Sequence, residues 1–165
     1  MLKKVKLALF DMLVASHNIL LDEEGPLNET SCFILNAGPT TYGFRLNTSR
    51  VYFKEEEHSI YLARTESYVI AIGQKLFAFS MKEGTIMLVM NLVDRIRAIH
   101  SVQLGVVLVT RSSIIQLTDI ANCSVRVAHQ LCTEILSYQL KRDRIILSLS
   151  DRSEKVELFL PISYP

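Results

Sequence analysis

The chain has 165 residues, which suits one domain with a real buried core and leaves no room for two of ordinary size. Hydrophobic residues make up 49% and charged residues 21%, a balance that excludes a largely disordered chain. With 18 Lys and Arg against 17 Asp and Glu the formal charge is +1, so no global field draws the chain to nucleic acid or to an anionic lipid surface. No nucleic-acid partner is expected.

The opening "MLKKVKLALFDMLVASHN" has lysines before an apolar run, as a secretory leader does, but Asp11 interrupts the run. No apolar stretch approaches the roughly 18 to 20 residues needed to span a bilayer, so no membrane insertion is expected. Residues 1–29 are ambiguous: "VKLALFDMLVASHNILL" suits two strands or one amphipathic helix. Cys32, Cys123 and Cys132 show no CxxC spacing, and an odd number cannot all pair within one chain. Reduced thiols and an intracellular setting, cytoplasm or nucleus, follow as the expectation. The sequons at Asn28, Asn47 and Asn122 would matter only in a secreted chain.

After residue 30 the dominant signal is alternation. "SCFILNAG", "TYGFRLNTS", "SIYLART", "YVIAIGQ", "KLFAFSM", "GTIMLVM", "GVVLVTR", "SIIQLTD", "SVRVAHQ", "RIILSLS" and "KVELFLP" are short β-branched or aromatic runs parted by Gly, Asn, Ser, Asp or charge. Gly38-Pro39, Asn47, Gly73, Glu83-Gly84, Asn122 and Asp151 supply the turns. An all-β chain is predicted.

The runs also repeat. "YVIAIGQ-KLFAFSMKEGTIMLV" from Tyr68 aligns with "GVVLVTRSSIIQLTDIANCSVRV" from Gly105, then with "RIILSLSDRSEKVELFLP" from Arg144 and, in degraded form, with "CFILNAGPTTYGFRLNTSRVYF" from Cys32. Taking Phe44, Phe79, Leu117 and Leu158 as equivalent gives a period of about 35 to 41 residues. The unit resembles a blade of the WD-repeat or WD-like β-propeller class, in which the third strand often closes on an acid followed by a turn glycine. The matching segments are Leu117-Thr118-Asp119-Ile120-Ala121-Asn122, which keeps the acid, and Phe79-Ser80-Met81-Lys82-Glu83-Gly84, which keeps the glycine. The chain has no Trp and no Gly-His pair, so that family's structural tetrad does not carry over.

The resemblance implies repeated four-stranded antiparallel blades, in a partial or small β-propeller, as a platform for protein contacts. The expected division is a single domain of three to four repeats, approximately 30–57, 58–95, 96–134 and 135–165. Propellers usually need four to eight blades, so closure is marginal. An open edge of unpaired strand N–H and C=O groups invites another strand. A protein partner or self-association completing the array is therefore expected, and "LFLPISYP" is read as the close of an incomplete blade. The alternative is an α+β fold with helices near 88–104 and 128–140, because "LVMNLVDRIRAIHSVQL" and "VAHQLCTEILSYQL" carry apolar residues at near-helical spacing. That fold, too, would be a binding or assembly module.

No local pattern supports chemistry. His17, His58, His100 and His129 are isolated; only His129 and Cys132 stand three apart, and a zinc site needs more. In "FKEEEHS" the acids Glu55 to Glu57 and His58 would alternate faces on a strand, which reads as a solvated edge or an acidic contact patch. There is no GxSxG, HExxH, GxGxxG or P-loop. No enzyme activity, catalytic residue, metal or cofactor is predicted. The tyrosines offer a candidate interaction surface, namely Tyr42, Tyr52, Tyr61 and Tyr68, since Tyr adds large contact area at low entropic cost. The expected role is a non-catalytic interaction module or scaffold subunit of an intracellular complex.

Overall fold

The computed structural model describes residues 2–6, 18–22, 30–37, 39–47, 57–120 and 124–160. Among them are fifteen strands and no helix, so the chain is all-β. Strands β1 (Leu2–Val5), β2 (Asn18–Asp22), β3 (Thr30–Ala37) and β4 (Thr40–Asn47) form sheet 1 in the order β1-β3-β4-β2. Sheet 2 is the simple antiparallel meander β5 (Glu57–Leu62), β6 (Ser67–Ile72), β7 (Lys75–Ser80), β8 (Thr85–Asn91). Sheet 3 repeats it with β9 (Ile96–Val102), β10 (Gly105–Thr110), β11 (Ser113–Asp119) and β12 (Ser124–Gln130). Sheet 4 has β13 (Ile135–Leu140), β14 (Arg144–Leu149) and β15 (Val156–Phe159).

The two helices of the alternative α+β reading do not form. The stretch 88–104 holds the end of β8, a short connector and all of β9; 128–140 holds the end of β12, a second connector and β13. Helical spacing arose there because two period-2 strands are joined by four-residue connectors, which brings the apolar residues of both into a false 3.6-residue register.

Which strands sit inside follows from their alternation. β6, β7 and β10 read YVIAI, LFAF and VVLV, apolar on both faces, and both faces are covered. One face of sheet 2 packs Ile70, Ile72, Phe77 and Phe79 on Phe33, Leu35, Phe44 and Leu46 of sheet 1. Its other face packs Val69, Ala71, Leu76 and Ala78 on Val106, Leu108 and Leu117 of sheet 3. Sheet 3 turns Val107, Val109 and Ile114 onto Ile135, Ile145, Leu147 and Leu149 of sheet 4. β14 reads RIILSL and is the exception, burying Ile145, Leu147 and Leu149 while Ile146 and Ser148 between them stay half-exposed. Among the described residues the buried clusters join the sheets in chain order, and none joins sheet 4 to sheet 1.

Sheets 2, 3 and 4 repeat each other in detail. The connector leaving sheet 2 bonds back to its own β6–β7 turn, Leu92 N–H to Gln74 C=O and Ile96 N–H to Gly73 C=O, both 2.8 Å. The connector leaving sheet 3 does the same at the β10–β11 turn, Leu131 to Ser112 and Ile135 to Arg111, again 2.8 Å. Bulges recur too. Met87 is the extra residue opposite Ala78 and Phe79, and Arg126 the extra residue opposite Gln116 and Leu117. Arg97 and Leu136 are the extra residues where β9 meets β10 and β13 meets β14, and the step from Arg97 to Leu136 equals that from Met87 to Arg126. Each bulge adds right-handed twist at the same place in its sheet.

Sheet 1 breaks the pattern. Its β2 runs parallel to β4, and the sheet lies on sheet 2 head to tail. Tyr42 near the start of β4 meets Phe79 near the end of β7, with ring centroids 4.8 Å apart. Ala37, beside the β3–β4 turn, borders the β5–β6 and β7–β8 turns. The first strands nevertheless stay together: β1 lies against β5, β5 against β9, and β9 is tied to β13 by hydrogen bonds.

Candidate interaction surface

The described residues form a concave region at the end of sheets 2 and 3 that carries the β5–β6, β7–β8 and β9–β10 turns. Two clefts open there, and the β5–β6 turn is the wall between them. The larger, about 590 Å³, runs between sheets 2 and 3 and is bordered by Arg64, Thr65, Met87, Gln103, Leu104 and Asp119, among others. The smaller, about 430 Å³, lies toward sheet 1 and is bordered by Ala37, Tyr61, Glu66, Tyr68, Met81 and Lys82.

The wall is rigid for local reasons. Glu66 takes φ +47°, a left-handed conformation that costs a side-chain-bearing residue about 1 kcal/mol or more. Its carbonyl accepts the Met81 N–H at 2.9 Å, which joins the β5–β6 turn to the β7–β8 turn, and the Thr65 and Ser67 hydroxyls share a 2.6 Å hydrogen bond. The β7–β8 turn is closed by the Gly84 N–H on the Ser80 carbonyl at 2.9 Å, with Gly84 at φ +67°. On the far wall Gly105 has φ +93°, and a Cβ there would lie 1.9 Å from the Leu117 carbonyl oxygen. Only glycine fits at that point.

The tyrosines divide. Tyr61 and Tyr68 are directly opposed across β5 and β6, with ring centroids 5.0 Å apart, and both border the smaller cleft; Tyr61 remains 47% exposed. Tyr42 is not a surface residue, as it is 8% exposed and packed edge-on against Phe79 in the core. Its alternation with Phe44 and Leu46, all three on one face of β4, was the signal for that. Tyr52 lies outside the described residues.

The remaining titratable groups serve elsewhere. His100 Nε2 shares a 2.8 Å hydrogen bond with the Tyr138 hydroxyl across β9 and β13. Burial lowers the imidazole below its ordinary range and raises the phenol, the latter partly offset by the positive charge of Arg97. His129 is on strand β12 and Cys132 on the exposed connector after it, so the helical face that would have aligned them does not exist. His58 is the second residue of β5, and His17 lies outside the described residues. Among the described residues no three His, Cys, Asp or Glu side chains gather as metal ligands. Likewise no helix is long and apolar enough to cross a membrane.

No family model matches the chain, and no curated protein does. The surface therefore has to be read from its own chemistry. It offers two half-open clefts, an aromatic pair of which Tyr61 is exposed, one acid and one base at each cleft, and backbone held in place by turn hydrogen bonds. The sequence named Tyr61 and Tyr68 but not their charged neighbours: Glu66 and Lys82 border one cleft because two turns of sheet 2 lie side by side, and Arg64 and Asp119 share the other only where sheets 2 and 3 stack.

Proposed function

We propose that this chain is a non-catalytic protein–protein interaction module, a scaffold subunit of an intracellular complex, built from WD-repeat-like propeller blades. The blade reading is supported by the four-strand meanders of sheets 2 and 3, by their recurring bulges and connector hydrogen bonds, and by first strands that gather on one side of the stack. The observation that carries the interaction reading is the exposed Tyr61, its ring against half-buried Tyr68, on the wall between two clefts at one end of the sheets. Loops at one end of a rigid β scaffold are where binding residues concentrate.

The test is affinity purification from cells with the wild-type chain and with Tyr61→Ala combined with Arg64→Glu. Both positions are exposed, so the double variant is expected to keep its melting temperature within a degree or two. Proteins captured by the wild type and lost from the folded variant support the reading. An identical captured set overturns the assignment to this surface.

A further inference from the structure

Sheets 2 and 3 each have a fourth strand, β8 and β12, bonded to the outer edge of the third; in sheet 4 no described strand is bonded to the outer edge of β15. Three observations mark this edge as a place for a strand. The core-facing residue of the third strand is fully buried at Phe79 and Leu117, but Leu158, the corresponding residue of β15, is only half-buried while packing on the same cluster as Ile145 and Leu147; Val156 is half-buried as its counterpart Ile115 is. The exposed face beside them carries Phe159 at 65% exposure, with the Arg144 guanidinium 5.4 Å over its ring. The backbone is also aimed correctly. Leu160 N–H bonds inward to Asp143 C=O at 2.8 Å and the β14–β15 register is unbroken, so Leu158 and Val156 also bond inward, while the N–H and C=O of Glu157 point to the open side.

We infer that β15 is a docking edge for one extended segment of a partner protein, added antiparallel as the fourth strand of sheet 4. This rests on the interaction-module reading and specifies its partner. The chemistry of the segment is written in the chain's own fourth strands. Opposite Phe79 and Phe77 stand Ile86 and Val89, and opposite Leu117 and Ile115 stand Val125 and Ala128. Both strands thus place two small aliphatic residues three positions apart, the extra position being the bulge. The segment that fits Leu158 and Val156 has the same aliphatic-x-x-aliphatic pattern, and a basic residue between the two would share the exposed carboxylate of Glu157, which already accepts Arg144 Nη1 at 2.9 Å. A second copy of the chain is the competing occupant: antiparallel pairing of β15 with itself about Glu157 sets that carboxylate against its own copy, whereas pairing about Leu158 sets it opposite Phe159, and the test separates a dimer from peptide capture.

The test uses a fluorescent peptide copied from β12, Ser-Val-Arg-Val-Ala-His-Gln, and reads its anisotropy against the full chain. Three competitors are compared: the same peptide with an N-methyl group at the second valine, the protein with Glu157→Pro, and the protein with Glu157→Ala. Saturable binding weakened at least tenfold by the N-methyl group and by Glu157→Pro, but only a few-fold by Glu157→Ala, is the expected result. Proline at an outward-facing edge position spares the β14 ladder, and the methylated peptide gives the same readout on the unaltered protein. Equal binding of methylated and unmethylated peptide, or no saturable binding, overturns the inference. So does a wild-type dimer that Glu157→Pro converts to monomer, which would give the edge to a second copy. Tyr61→Ala is expected to leave peptide binding unchanged, so failure at the turn end and failure at this edge are separate results.

Discussion

His100 on the first strand of sheet 3 and Tyr138 on the first strand of sheet 4 share a hydrogen bond of 2.8 Å, with their rings set edge to face at 5.5 Å. Burial lowers the affinity of the imidazole for a proton, so the folded chain protonates His100 at lower pH than the unfolded chain, whose histidine titrates near about 6.5. The contribution to stability is complete above about pH 7 and declines as pH falls through 6.5 toward the folded value. Melting temperature measured from pH 7.5 down to 5 should drop, and His100→Gln should flatten the drop. An unchanged pH profile in that variant would remove His100 from the account. At the alkaline end the raised phenol works the other way, with stability held below about pH 10 and lost above it.

Gly105 and Gly84 both have positive φ but differ in surroundings. A Cβ at Gly84 meets nothing within 4 Å, whereas at Gly105 it would strike the Leu117 carbonyl. Gly84→Ala is expected to cost about 1 kcal/mol, from conformation alone. Gly105→Ala should cost about 3 kcal/mol or more, because the β9–β10 turn must move off β11. Urea denaturation of the two variants side by side checks the difference, and similar midpoints would contradict it.

Phe79 holds sheet 1 to sheet 2 through edge contacts with Tyr42 at 4.8 Å and Phe44 at 5.3 Å. Phe79→Ala should lower stability by about 3 to 5 kcal/mol. The same truncation at exposed Phe159 should stay within about 0.5 kcal/mol. Equal costs would mean that Phe79 does not hold the two sheets together.

The hydroxyl of Ser112 is a shared node. It donates to the Asp94 carboxylate on the connector from sheet 2 and accepts from Gln130 Nε2 at 2.9 Å. Asp94→Ala should cost about 1 to 2 kcal/mol as a lost hydrogen bond to a charged group. Combined with Ser112→Ala it should cost less than the sum of the two, by about 0.5 kcal/mol or more. Strict additivity in the double-mutant cycle would mean that the two side chains do not act together.

The strands were legible because alternation is a local property. YVIAI, KLFAF and GVVLV announce their period and their two-sided burial within a few residues, and Phe44, Phe79, Leu117 and Leu158 each fall in the third-ordered strand of its sheet. What was not legible is directional. An alternating strand reads the same whichever way its sheet is laid on the next, so nothing in "TYGFRLN" told that sheet 1 would lie reversed. The connectors were misread for a related reason: Leu92 and Leu131 are half-buried residues between strands, and their apolar character filled the gap that would otherwise have broken the helical pattern. The tyrosine pair could be nominated from the sequence, but its partners on the β7–β8 and β9–β10 turns could not.

The reversed placement of sheet 1 has a consequence for assembly. Sheets 2, 3 and 4 follow one another with the same strand order, and sheets 2 and 3 each pack a buried face on the next; a relation of that kind, if repeated between molecules, has no built-in stopping point. A unit turned end for end does not obey it. Across the boundary between sheets 1 and 2, therefore, the relation that links sheets 2, 3 and 4 does not continue.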